Sequence, residues 1–314
     1  MKKNKIILLS AVVLIFSFMS IGSGSSETTG QKQIADSTDQ DSSGDPSSAA
    51  ESGEGNANAG EPTNSESDVP TIEEQVLIDE DGLKVTAKEY VTDSIWGDGV
   101  ALLIENNGTS DIGIGCNALI VNDYMITDLF SSTVAAGKKA NETMHLSSVG
   151  LKAAGIENVG QIEMYFHTFD ADSYMTIKDY PCSVIKTSEY ANMDESINDE
   201  GKELYNDNGI RIVGKYVDEN SFWGAAVLLY IENNSGKNVY VQCDDMSVNG
   251  FMMTPYFSSS VYDGKKAIDD ITLLSTELEQ NGISSIDEIE LKFRISDENF
   301  TTIAETEPIS FTTK

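Results

Sequence analysis

The sequence predicts an all-β chain built from two domains of one kind, and three observations carry that prediction. Apolar and polar residues alternate with a period of two, turn-forming dipeptides recur between the alternating runs, and a stretch of about 110 residues occurs twice.

Two leading segments stand apart from these domains. Residues 1–25 set Lys2, Lys3 and Lys5 ahead of an apolar run from Ile6 to Ile21, closed by Gly22, Ser23, Gly24 and Ser25. This is the layout of a secretory signal peptide, and two fates are open to it: cleavage after the small residues, or retention as an N-terminal membrane anchor. The first cysteine is Cys116, so the signal offers no residue for a thioether lipid anchor. Residues 26–71 are mostly Ser, Gly, Asp, Glu, Asn and Thr, with Ile34 and Val69 almost the only large apolar side chains. Such a segment buries too little to offset its ordering entropy, which predicts a disordered acidic linker able to space the domains from a membrane or wall.

The repeat organises the rest. Residues 76–187 superimpose on 203–314 at a constant offset of 127 with no gap, and about a third of the positions are identical. Trp96-Gly97 matches Trp223-Gly224, Ile104-Glu105-Asn106-Asn107 matches Ile231-Glu232-Asn233-Asn234, and Gly137-Lys138-Lys139 matches Gly264-Lys265-Lys266. The domains are therefore set at 72–188 and 203–314, joined by a polar connector over 189–202.

In the second copy Ile289, Leu291, Phe293 and Ile295 alternate with charged residues, a strand with one buried and one wet face; Ile162, Met164 and Phe166 are the matching inward positions of the first. The run from Trp223 to Ile231 is apolar on both faces, which places it centrally in a sheet. Asp81-Gly82, Asn208-Gly209 and Asn249-Gly250 predict tight hairpins, with Asn122-Asp123 a weaker residue choice for the last of these turns. Thr276 and Glu279 form a capping box and Gly282 ends a short helix with Ile283 folding back on Leu278; Ser148, Leu151, Gly155 and Ile156 repeat the pattern. About seven short strands and one short helix per copy read as tandem immunoglobulin-like β-sandwich domains, with a small barrel as the alternative architecture.

The copies also resemble the immunoglobulin-like, telokin-like domains of unknown function found in exported and lipid-anchored proteins of Gram-positive bacteria. The likeness rests on the Trp-Gly and Glu-Asn-Asn strand, Val248-Asn249-Gly250-Phe251, the Gly-Lys-Lys loop and the Gly-Ile run from Gly282. It implies a sandwich fold at the cell surface and no catalytic residues. The chain departs from the lipid-anchored members in lacking the lipobox cysteine.

The formal charge of −32 disfavours nucleic acid, since counterion release needs clustered Lys and Arg. His145 and His167 are the only histidines, and their counterparts are Thr272 and Arg294, so no histidine-based triad recurs. Cys116 and Cys243 recur on strand faces as small thiols for burial; Cys182 stands opposite Ile309, and pairing of Cys116 with Cys182 is left open.

No cofactor is implied, with one candidate exception. Asp170, Asp172, Asp297 and Asn299, with Asp79–Asp81 and Asn206–Asn208, present clustered hard oxygens suited to calcium, while ordinary turn bonding accounts for them equally. Partner-binding candidates are the apolar runs containing Tyr124, Ile126 and Leu129 and containing Phe251, Met253 and Tyr256, together with the recurring basic pairs Lys138-Lys139 and Lys265-Lys266. Trp96 and Trp223 are expected to anchor the core. The sequence thus reads as an exported, surface-associated, non-enzymatic protein that binds another protein or a cell-surface polymer, meeting a membrane only through an uncleaved N-terminal segment; a spacer or a carboxylate-dependent hydrolase are the alternatives.

Overall fold

The computed structural model describes residues 31–35, 69–92, 97–126, 130–193 and 197–313. The segment expected to be a signal peptide, most of the expected linker, Trp96 and Leu129 lie outside the described residues. In chain order the strands are β1 (Gln31–Ala35), β2 (Gln75–Glu80), β3 (Leu83–Val91), β4 (Gly99–Asn106), β5 (Ile112–Val121), β6 (Tyr124–Ile126), β7 (Ser131–Val134), β8 (Lys139–His145), β9 (Gln161–Asp170), β10 (Thr176–Asp179) and β11 (Ser183–Lys186), with helix α1 (Ser148–Ala154) after β8. They continue as β12 (Lys202–Asp207), β13 (Ile210–Ser221), β14 (Gly224–Asn233), β15 (Val239–Val248), β16 (Phe251–Met253), β17 (Ser258–Val261), β18 (Lys265–Leu274), β19 (Glu288–Asp297), β20 (Thr302–Glu305) and β21 (Ile309–Thr313), with α2 (Ser275–Gln280) after β18.

These elements gather into two compact units: Ala35–Asn122 with Asp128–Ser196, and Met1–Ile34 with Asp123–Thr127 and Ile197–Lys314. The fold of the chain is all-β and sandwich-like. In the first unit one sheet runs β2-β3-β4-β8, and the other sets β7 and β9 on either side of β5, with β10 and β11 on the far edge of β9. In the second unit one sheet runs β12-β13-β14-β18, and the other sets β17 and β19 beside β15, with β16 also on β15 and β20 and β21 on β19. Alternation does the packing: Ile289, Leu291, Phe293 and Ile295 meet Val227, Leu229 and Ile231 in one core, while Ile162, Met164 and Phe166 are fully buried in the first unit. Strand β14 is central, between β13 and β18, as its two apolar faces predict.

All four hairpin dipeptides adopt positive φ at both positions, Asn122-Asp123 included (47° and 68°). Helix α2 ends as expected, with Gly282 at φ 69° and the Ile283 N–H donating to Leu278 O at 2.9 Å. Its capping box does not form. The helix starts at Ser275, whose N–H is already taken by Trp223 O at 2.8 Å because β18 runs straight into it, and Glu277 instead accepts from the Thr254 N–H. In α1 the cap is Ser147, whose Oγ accepts from Gly150 N.

Two further expectations are corrected. Constant offset fails near the C-terminus: Ser183 pairs with Met164 but Ile309 with Leu291, an offset of 309 − 183 = 126 against 291 − 164 = 127. One residue is missing from the β19–β20 turn, so Tyr174 corresponds to Phe300, both at φ 57°, and Cys182 to Pro308 rather than Ile309. The second correction concerns residues 31–35, which composition assigns to the disordered linker. They form β1, antiparallel to Tyr216–Asp218 of β13. Ile34 packs against the second core beside Gly214, where a Cβ would come within 2.7 Å of it, and Lys32 binds Glu219 and the Ser285 Oγ. A sheet edge supplies the backbone partners that the segment lacks alone. That edge is open because the in-line residues turn away: the buried Lys215 ammonium donates to Asn198 O and Oδ1, both at 2.8 Å.

Buried asparagines lock each unit. Asn233 Nδ2 donates to Lys237 O (2.7 Å) and Val261 O (2.8 Å) while its Oδ1 accepts from Ser235 N; Asn106 makes the same bonds to Ser110 O, Val134 O and Gly108 N. Asn249 Oδ1 accepts from the N–H groups of Asp287 and Glu288, and Asn122 Oδ1 from those of Gly160 and Gln161. Between the sheets, Ser132 Oγ donates to Glu142 at 2.8 Å, and the matching Ser259 donates to Asp269. Burial, reinforced by Asp270, pushes the Asp269 carboxyl up to about 7.

Two measurements test this account. Asn233→Ala strands the buried Val261 carbonyl and is expected to cost about 1–3 kcal/mol, read as a lower urea midpoint. Asp269 binds its proton more tightly folded than unfolded, so stability is expected to fall as pH rises from 5 to 8, and Asp269→Asn to flatten that slope.

Candidate interaction surface

Large apolar side chains reach solvent at one end of the second unit's sandwich. The turn between β13 and β14 holds Phe222 and Trp223, 76% and 47% exposed, with their rings edge to face at 4.9 Å. Trp223 is therefore no core anchor: its backbone carbonyl holds Ser275 at the helix start, which leaves the ring turned outward. Tyr256 joins the same end, since its N–H and C=O exchange hydrogen bonds with Thr272 (3.1 Å each), two residues before the end of β18. Phe251 (48%) and Met252 (66%) are exposed on β16, where Thr254 ties the strand's exit to Glu277 of α2. Met253 is not part of this surface. It is 5% exposed and belongs to the core cluster that also holds Phe257.

The related positions of the first copy have another fate. Tyr124 and Ile126 are buried, Tyr124 to 2%, and they belong to the second unit. There β6 lies parallel to β18, Tyr124 beside Lys266 and Met125 beside Ala267. Lys266 N donates to Asp123 O (2.9 Å), Lys265 Nζ pairs with Asp123 Oδ1 (2.6 Å), the Lys266 ammonium stands 5.4 Å over the Tyr124 ring, and Asn198 N donates to the Tyr124 hydroxyl (3.1 Å). Lys265 and Lys266 are thereby engaged inside their unit. Lys138 and Lys139 are exposed, Lys139 pairing across the strand with Glu105, whose carboxyl that bond holds below the usual range.

The acidic loops are built as turns. Asp170 Oδ1 accepts from the Ser173 hydroxyl (2.7 Å) and N–H (2.8 Å), and Asp297 Oδ1 from the N–H groups of Asn299 and Thr301, both 3.0 Å. These bonds hold both carboxyls below their ordinary range. Asp172 is exposed beside its turn, and Asn299 contributes its backbone to the Asp297 turn. Among the described residues no group of three or more His, Cys, Asp or Glu side chains is close enough to hold a metal ion. A ring stacks on each turn's aromatic residue from a different strand: Phe169 on Tyr174, over Gly113, and Tyr240, in the place of Gly113, on Phe300.

Other reactive groups are accounted for locally. His167 packs over Gly115, and burial lowers its pKa; burial pushes the Cys243 thiol up to about 12, and Cys116 Sγ donates to Ala118 O. A groove of about 470 Å³ lies between β2 and Tyr180–Val184, and its carboxylates are met by lysines, Asp79 by Lys84 and Glu80 by Lys178. No helix among the described residues is long and apolar enough to cross a membrane.

Among solved structures the chain is similar to the SafA pilin of Salmonella enterica in complex with the SafB chaperone, at 11% identity and a TM-score of 0.20, with 68% of this chain and 88% of that chain covered. No family model and no curated protein matches it.

Asp297→Ala removes the acceptor for two backbone donors and is expected to lower the thermal unfolding midpoint, whereas Asp297→Asn leaves it nearer the wild-type value.

Proposed function

We propose that this chain is an exported, non-enzymatic binding protein of the cell envelope, whose two sandwich domains, 72–188 and 203–314, are held out by the acidic segment that follows its signal peptide. The observation that carries the reading is the exposed set Phe222, Trp223, Phe251, Met252 and Tyr256 on the second unit. Aromatic residues with much of their area in water are what binding surfaces supply, because a rigid ring buries a large area at small entropic cost. The ligand is another protein or a surface polymer.

The carboxylates support the non-enzymatic side of the reading. Several that recur in both copies answer to structure: Glu142 and Asp269 to serines, Asp170 and Asp297 to their own turns, Glu105 to Lys139 and Glu232 to Asn234. None forms a repeated acid and base pair across a cleft. The signal peptide and net charge of −32 agree with a soluble, mutually repelling protein outside the cytoplasm.

The full chain, incubated with envelopes of the producing organism, is expected to be retained at moderate salt. The variant Phe222→Ala/Trp223→Ala/Tyr256→Ala is expected to lose at least about tenfold in retention while keeping its far-ultraviolet circular dichroism. Wild-type protein that stays in the supernatant on every envelope and polymer tried, with or without calcium, would sink the binding reading.

A further inference from the structure

The two copies carry the two halves of one contact, and the contact is made once within the chain. Asp123–Ile126 of the first copy clips onto Lys265–Ala267 of the second. At the offset of 127, the corresponding halves are Gly250–Met253 and Lys138–Ala140. Gly250, Phe251 and Met252 of the one and Lys138 and Lys139 of the other are exposed, while Met253 is buried. Phe251 is 48% exposed where its counterpart Tyr124 is 2% exposed, and Lys138 and Lys139 are exposed where their counterparts Lys265 and Lys266 are half-buried. Edge pairing tells the same story: β18 is flanked by β14 and β6, whereas at Lys139 and Ala140 strand β8 pairs only with β4 among the described residues.

From this juxtaposition we infer that a second copy of this chain docks head to tail, its Phe251–Met252 strand lying along β8 of the first with the Phe251 ring under Lys139. The inference rests on the reading of the Phe251 surface as a binding site and names its partner. The geometry is the one already present at β6 and β18: a short parallel strand pair, an ammonium over an aromatic face and a lysine at the turn. Such a contact is heterologous, because the donating and accepting surfaces differ, so each docked chain presents a fresh Phe251 strand and a fresh β8 edge. Gly250 stands where Asp123 does, so the contact between chains lacks the Asp123–Lys265 ion pair and is weaker than its counterpart within the chain. The net charge of −32 opposes it further, and added salt is expected to favour it.

Sedimentation of the full chain from low to high micromolar concentration is the test, in buffers of low and moderate salt. Expected is a mass that rises with concentration, and more steeply at moderate salt. Phe251→Glu/Met252→Glu removes the donor half and Lys138→Gln/Lys139→Gln weakens the acceptor half; each alone is expected to reduce association by at least about tenfold. Mixed in equal amounts, the two variants are expected to form a pair that grows no further, since only one of the two possible contacts is intact. A wild-type mass that stays at one chain throughout overturns the inference, as does association that both variants leave unchanged. Envelope retention separates this from the broader reading: a non-associating chain whose retention still falls with Phe251→Glu keeps the binding surface and loses the self-docking.

Discussion

A buried carboxamide at the end of a central strand sets the shape of each unit. Asn233 leaves β14 at full burial and ties the loop before β15 and the end of β17 to its own strand, so hydrogen bonds join the two sheets beside the apolar packing of Val239 and Val261. The amide can do this because it has two donors and an acceptor aimed at three backbone groups, the Val261 carbonyl among them deep in the unit. Asn106 does the same in the first unit, and Asn122 and Asn249 repeat the device at the start of β9 and β19. Strand pairings then follow from alternation. The Glu-Asn-Asn and Val-Asn motifs that recur in the sequence are thus latches of the fold.

Once the latches fix the sandwiches, the copies diverge at their margins. The residues before β12 turn aside to bury Lys215, which opens an edge that β1 fills from far upstream. The hairpin after β5 docks on β18, while the matching hairpin after β15 leaves Phe251 and Met252 in solvent. The Phe251 and Met252 surface is a part of the repeat that the chain does not itself cover.

Legibility followed the range of the physics involved. Inward positions such as Ile162, Phe166, Leu291 and Phe293 were readable because alternation is local, and the hairpins because Asn-Gly and Asp-Gly encode their own backbone angles. The missing residue before β20 was hidden by chance identities, Pro181 with Pro308 and Ser183 with Ser310, which favour the wrong offset. The exposure of Trp223 and of Phe222 beside it is not fully legible from local pattern, because a ring's burial depends on which distant neighbour covers it. Two adjacent aromatic residues at a strand start, which alternation cannot both bury, were the available signal.

The sequence alone determined the all-β class, the duplication and the hairpin turns, since each is a property of neighbours along the chain. Only the tertiary structure decided that Ile34 belongs to a core, that Asp170 and Asp297 spend their oxygens on turns, and that Tyr124 is covered while Phe251 is not. The reason is common to all three. Whether a group meets water or protein is settled by partners distant along the chain, and a repeat carries the same local instructions into two different surroundings.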